Sequence, residues 1–358
     1  MFTNRYAVIF AVLFVLIGSS FIGPTPTKAQ QQPPKPQTAT PSPTPPIEEE
    51  EGVIKVNTEA VNVLFTAQDK DRRLLLTLKQ EDVRILENGQ PQEITAFSRQ
   101  VDLPLSLAIL IDTSASQERT LPEEKAAAIS FLESVVRPAK DEVSVVSFTG
   151  ESTLEQGMTN NLTRVRRAID KVRFVPPSGY IGGGVIAGTP PISGDNQAIV
   201  GSTAIWDSIW ITSADVLGPA PERTRRAIIL LTDGIDTFSR KKLDEAVQAA
   251  IKAEAVIYSI GIGDDFQHGV DKGSLNKVSE RTGGRAYFPR DESELRQAFK
   301  QIQEEMRSQY LLAYEPANQT LDGSYRKIEI QLANPELQKQ KIKVTHRQGY
   351  FSKTAPKK

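Results

Sequence analysis

Asp112, Ser114 and Ser116 place a carboxylate and two hydroxyls at alternate positions directly after an apolar strand, L-A-I-L-I-D-T-S-A-S over Leu107–Ser116. Packing alone does not call for oxygens where a buried strand stops. The edges of α/β sheets are where ligands bind, and hard cations such as Mg²⁺ prefer oxygen donors. Two further oxygens sit in similar contexts. The apolar run Ala227–Thr232 stops at Thr232-Asp233-Gly234, and Gly201-Ser202-Thr203 precedes a helical stretch. Each of these is explicable alone: Ser114, Ser116 and Thr203 as helix caps, Asp233-Gly234 as a turn. Taken together, they are the donor set of a metal site. Asp207 and Asp236 lie close by in sequence and suit capping and supporting roles. Asp264 and Asp265 suit a solvated strand-end loop.

Other chemistry is poorly supported. The chain has 358 residues, no cysteine and two histidines, His268 and His346. Thiolate metal sites, disulfides and cysteine nucleophiles are therefore excluded. A serine hydrolase would need one of those histidines beside an activated serine, and neither is near the cluster in sequence. Gly182–Gly188 lacks the lysine of a phosphate-binding loop. An aspartate phosphotransferase wants a second carboxylate two residues after the first, where this chain has Ser114. A binding protein and not an enzyme is expected. A net charge of −1 gives no field for nucleic acid or anionic lipid.

The elements that must hold the site follow from the pattern. Leu105–Ile111, Val143–Phe148, Ala227–Thr232 and Ala255–Ile262 are apolar strand candidates. They alternate with helix candidates Pro122–Val136, Leu162–Val172, Ala204–Leu217, Lys241–Glu254, Lys272–Thr282 and Glu292–Ser308, with a short strand over Arg285–Phe288. Continuous apolar strands alternating with helices predict a doubly wound, mostly parallel sheet covered on both faces, over 103–308. The first helix presents Ala126, Ile129, Leu132 and Val136 at helical spacing, and the last presents Leu295, Phe299, Ile302 and Met306. Short alternating strands precede this region (53–102, including Leu74–Leu78 and a turn at Asn88-Gly89) and follow it (309–352). Each half is too small to close alone, which predicts one antiparallel β-sandwich interrupted by the α/β domain; a tail, 353–358, follows.

The N-terminus carries Arg5, an apolar run over Ala7–Gly18 and Thr27-Lys28-Ala29, the layout of a secretory signal over 1–29. An uncleaved anchor is the alternative, and it is the one membrane contact expected. Residues 30–52 are rich in Pro, Gln and Thr and end in Glu48–Glu51, a composition suited to an extended linker. An exported protein is expected, periplasmic, cell-surface or secreted.

The combination D-T-S-A-S, G-S-T-A-I-W-D and L-L-T-D-G resembles the von Willebrand factor type A domain. The flanks L-K-Q-E-D-V-R-I-L-E-N-G-Q-P-Q-E-I, Q-Y-L-L-A-Y-E-P and R-Q-G-Y-F look like those of secreted bacterial proteins of that type. Insertion into a sandwich resembles the integrin β-subunit head. The resemblance implies a metal-ion-dependent adhesion site on Asp112, Ser114, Ser116, Thr203 and Asp233, with Mg²⁺ as its ion and Mn²⁺ or Ca²⁺ as alternative occupants. It implies that the carboxylates act largely through water, so the ion keeps much of its charge and seeks an anionic sixth ligand, an exposed Asp or Glu of a protein partner. Helices equivalent to Glu292–Ser308 move with ligand state in that family; here such a shift would pull on the sandwich through Gln309. The long loop 176–202 could overhang the ion and set partner preference through Tyr180, Ile181 or Ile186. A structural spacer with a fold-stabilising metal is the rival expectation, and a metal-dependent hydrolase a weaker one.

Overall fold

The structure is a computed structural model that describes residues 60–99, 103–174, 180–181, 184–185, 202–221, 224–263 and 269–355. The expected signal and linker lie outside the described residues, as do Ile186, Asp264, Asp265, His268 and the last three residues of the tail. Among the described residues no helix is long and apolar enough to cross a membrane.

The N-terminal flank supplies β1 (Val61–Gln68), β2 (Val83–Glu87), β3 (Gln90–Gln92) and β4 (Ile94–Arg99). Asn88 and Gly89 both take positive φ in the tight β2–β3 turn, as the Asn-Gly pair predicts. Leu74–Leu78 departs from expectation and is not a strand. It pairs with β1 only through a single bridge, Leu74 to Gln68, with Leu75 N donating to Ala67 O at 2.8 Å, and Tyr310 Oη donates to Leu75 O and accepts from Leu78 N, both at 3.0 Å.

The α/β core runs β5 (Leu105–Asp112), α1 (Leu121–Val135), β6 (Glu142–Phe148), β7 (Ser152–Thr159), α2 (Leu162–Lys171), the short β8 (Tyr180–Ile181) and β9 (Gly184–Val185), and α3 (Ile205–Ile211). It continues through β10 (Arg225–Thr232), α4 (Leu243–Lys252), β11 (Ala255–Gly261), α5 (Lys272–Thr282), β12 (Ala286–Tyr287) and α6 (Glu292–Arg307). Sheet order is β12-β11-β10-β5-β6-β7, a doubly wound arrangement that switches direction between β5 and β10. Five strands are parallel and β7 is antiparallel to β6. The edge strand β7 is not among the expected elements, because its first half is exposed and shows no apolar alternation. Every residue of β5 is buried, as the continuous apolar run requires.

Helix α1 keeps part of the expected stripe, with Leu132 and Val136 buried and Ile129 packed on the core, but leaves Ala126 exposed. Its buried face is Leu121, Glu124, Ala127, Ala128, Phe131, Leu132 and Val135, rotated from the Ala126–Ile129 line. The cause is its packing on α6, where the Phe131 and Phe299 rings lie 5.0 Å apart. The expected apolar face of α6 is buried throughout.

The C-terminal flank adds β13 (Tyr310–Tyr314), β14 (Tyr325–Leu332), α7 (Pro335–Lys339), β15 (Lys343–His346) and β16 (Gly349–Phe351). The two outer sheets, β15-β1-β13-β4 and β16-β14-β2-β3, each combine strands from both flanks. They share one core of Val63, Phe65, Ile85, Tyr310, Leu312 and Ile328, so the flanks form one interrupted sandwich. Its junction with the α/β domain lies at the N-terminal edge of the parallel strands. There Gln68 Nε2 donates to Glu305 Oε1 at 2.9 Å, and Arg347 Nη1 reaches Glu254 Oε1 at 2.9 Å. Gly283, at φ 91°, ends α5 where a Cβ would stand 2.5 Å from Arg347 N. The predicted site is therefore at the opposite end of the sheet from the sandwich.

Candidate metal centre

Strand β5 delivers Asp112 to the C-terminal edge of the sheet, and the chain then turns into a 3₁₀ segment, Ala115–Gln117. Asp112 is 0% exposed. Its Oδ1 accepts from Ser114 N at 2.9 Å and its Oδ2 from Thr232 Oγ1 at 2.6 Å. The turn brings Ser114 Oγ within 3.1 Å of Ser116 Oγ. Gln117 ties this loop across the sheet, donating from Nε2 to Ile262 O at 3.2 Å.

Asp233 follows Thr232 at the end of β10, the strand paired with β5. It is 4% exposed, and its Oδ1 accepts from Ile235 N at 2.9 Å. Gly234, at φ 84°, makes the turn, where a Cβ would stand 2.8 Å from Leu275 Cγ. Thr203 is anchored to the same loop by its backbone: its N–H donates to Thr237 Oγ1 at 2.8 Å, and its carbonyl accepts from Thr237 N and Phe238 N. Asp112, Ser114, Ser116, Thr203 and Asp233 thus lie on loops at one edge of the sheet, around the β5–β10 junction.

Asp236 and Asp207 are engaged elsewhere, as supporting groups. Asp236 Oδ1 accepts from Ile205 N at 2.8 Å, capping α3, and from Ser239 Oγ at 2.6 Å. Asp207 accepts from Arg240 N and Lys241 N, bracing the loop before α4. Tyr180 and Ile181 form a two-residue strand with Gly184 and Val185. His346 lies in the sandwich, its Nε2 accepting from Ile330 N at 3.2 Å.

The electrostatics suit a cation. Burial first, and then the charge of Asp233, pushes the Asp112 carboxyl up to about 7. The Ser114 N–H and the Thr232 hydroxyl that donate to it hold it down in part but carry no charge, so two adjacent buried carboxyls remain without a counter-charge from these donors. A divalent ion would supply that charge, and two carboxylates with three hydroxyls form a hard-oxygen set. Among the described residues no group of three His, Asp or Glu side chains is placed to hold a metal ion, so an ion at this edge would need the hydroxyls as ligands. Sequence reasoning missed Thr232 and Gln117 as positioning groups, although each is adjacent to a proposed ligand. It also missed Glu124, a fully buried carboxyl on α1. Burial foremost, with the charges of Asp112 and Asp233 adding to it, pushes that group up to about 8.

Fold and site together define a doubly wound domain with a cation-type cluster at its switch point. Models of the von Willebrand factor type A domain match residues 107–185 and 202–301, together half of the chain. The chain belongs to the von Willebrand factor type A domain family. No curated protein matches it. Among solved structures it is similar to proximal thread matrix protein 1 of the mussel byssus, at 16% identity over 58% of this chain and 49% of that one (TM-score 0.44). A form of that matrix protein with a zinc-occupied MIDAS motif shows 19% identity over 61% of this chain and 49% of that one (TM-score 0.44). BatB from Bacteroides thetaiotaomicron shows 16% identity, covering 57% of this chain and 100% of that one (TM-score 0.39). The chain spans about half the length of the mussel protein.

Proposed function

We propose that this chain is an exported, metal-dependent protein-binding module for adhesion or envelope assembly. Asp112, Ser114, Ser116, Thr203 and Asp233 hold a Mg²⁺ ion whose open position takes an Asp or Glu side chain of a partner. The observation that carries the reading is the buried Asp112–Asp233 pair beside two hydroxyls 3.1 Å apart, at the edge where such folds bind ligands. Membership of the von Willebrand factor type A family supports it. The apolar N-terminal run and the Pro-rich segment after it support export. The chemistry is capture and not turnover: neutral hydroxyl donors leave charge on the ion for an anionic ligand.

The test is retention of the purified chain on an array of immobilised peptides bearing one Glu or Asp each, with Mg²⁺ and with chelator. Retention in Mg²⁺ that chelator, Ser114→Ala and Thr203→Ala each abolish is the expected result. A metal that raises the melting temperature while no peptide retains the protein would favour the structural-spacer reading, in which the sandwich mediates assembly.

A further inference from the structure

Next to the candidate metal centre, α1 turns Glu124 inward. The side chain is 0% exposed, and neither carboxyl oxygen has a hydrogen-bond partner among the described residues. The nearby Thr120 hydroxyl donates to Gln117 Oε1 at 3.0 Å and, at longer range, holds the Glu124 carboxyl down against its burial. An unpaired buried carboxyl works against folding, so stability does not account for Glu124. It lines a cleft of about 330 Å³ between α1, the end of β11 and the start of α6, a volume in the range of small-ligand sites.

We propose that this cleft is a second binding site, for an organic cation: an alkylammonium or guanidinium group on a short apolar stem, whose charge draws the Glu124 carboxylate out of the cleft wall.

The walls fit both halves of such a ligand. Ile262, Val270, Phe288 and Leu295 provide the apolar lining, and Glu123 adds a second carboxylate at the α1 side. The two cations that also line the cleft are engaged. Arg290 pairs with Glu294; Lys272 Nζ lies 5.5 Å from the Phe288 ring centre and keeps its charge, which the lining carboxylates of Glu123 and Asp291 outnumber. An arriving cation would give Glu124 the counter-charge that burial withholds. A metal ion fits less well, because one buried carboxylate with a threonine falls short of the oxygen ligands a hard ion collects. The cleft is distinct from the metal centre yet joined to it, since Gln117 bridges Ser116 and Ile262.

Titration of the purified chain by calorimetry, with agmatine as the cation and n-butanol as an uncharged stem, tests this. Agmatine is expected to bind one-to-one, at least tenfold tighter than n-butanol. Glu124→Gln should weaken agmatine at least tenfold, and Glu124→Asp should keep most of the affinity. An end-blocked Ala-Arg-Ala peptide in parallel separates the two sources of such a cation: weaker binding than agmatine marks a free small ligand, tighter binding a partner's side chain. Absence of agmatine binding, or equal binding of n-butanol, overturns the proposal. Undiminished agmatine binding by Glu124→Gln overturns it as well. Should Glu124→Gln fail to fold, the agmatine and n-butanol comparison on the parent and on Glu124→Asp still decides.

Discussion

Thr232 Oγ1 donates a 2.6 Å hydrogen bond to Asp112 Oδ2, so the residue that orients the first carboxylate is the chain neighbour of the second. The end of β10 thereby sets both carboxylate arms of the candidate metal centre at once. Groups that orient ligating carboxylates typically influence metal affinity by ~10–100-fold. Thr232→Val, which keeps the shape and removes the hydroxyl, should weaken Mg²⁺ by about tenfold or more. Thr232→Ser should stay near the parent. Thermal midpoints along a Mg²⁺ titration measure this, and an unchanged affinity in Thr232→Val would show that the bond has no positioning role.

The pH dependence of the metal-free protein follows from Asp112 and Glu124. Burial raises both carboxyls, to about 7 and about 8, above ordinary values of 3.8 and 4.5. The folded chain then holds protons that the unfolded chain has released. The stability these groups contribute is complete below the ordinary carboxylate range and is lost as pH rises through 7 and 8. In chelator the melting temperature should fall between about pH 5 and pH 8. Mg²⁺ should raise it most at the upper end, where it no longer competes with a proton on Asp112. A chelated midpoint that climbs across this range contradicts the assignment.

Gly283 and Gly89 separate backbone strain from steric contact. Both have positive φ, 91° and 82°, but a Cβ at Gly283 meets Arg347 N at 2.5 Å, whereas one at Gly89 meets nothing within 4 Å. Gly89→Ala should cost about 1 kcal/mol from strain alone. Gly283→Ala should cost roughly 2–4 kcal/mol, because the clash is with backbone where α5 meets the sandwich. Urea unfolding of the two variants gives the comparison.

Glu305 should show strong non-additivity with Gln68. Its Oε1 accepts from Gln68 Nε2 and Tyr287 Oη, each at 2.9 Å, and pairs with Arg285 Nε at 3.1 Å. Glu305→Ala strands a largely buried Arg285 and should cost about 3–5 kcal/mol. Gln68→Ala removes one hydrogen bond and should cost about 1–2 kcal/mol. The double variant should be little worse than Glu305→Ala alone, since both act at one acceptor. Simple addition in a double-mutant cycle would rule out the shared acceptor as the link between α6 and β1.

Much of this architecture is legible in the order of residues. Continuous apolar runs identify β5, β6, β10 and β11, because strands covered on both faces carry few polar positions. Asp112, Ser114 and Ser116 stand out for the same reason, as oxygens where such a run stops. Local patterns fail where another segment decides the outcome. Leu74–Leu78 has the composition of a strand, but it pairs with β1 at one bridge only, and the Tyr310 hydroxyl meets Leu75 O and Leu78 N. Strand β7 carries no apolar alternation, since it pairs only at the sheet edge. On α1 the apolar spacing finds Leu132 and Val136, which are buried, but it includes the exposed Ala126 and misses the buried Glu124.

The α/β alternation, the interruption of the sandwich and the residue types of the candidate metal centre are all written in the chain. Each is recorded in the periodicity of burial along a single segment. Packing between distant segments is what makes Thr232 orient Asp112 across 120 residues and joins Gln68 to Glu305 across 237. The same packing turns Glu124 toward a cleft without a partner. These outcomes depend on which polar groups meet when remote segments come together, and hydrophobic patterning within one segment carries no information about that.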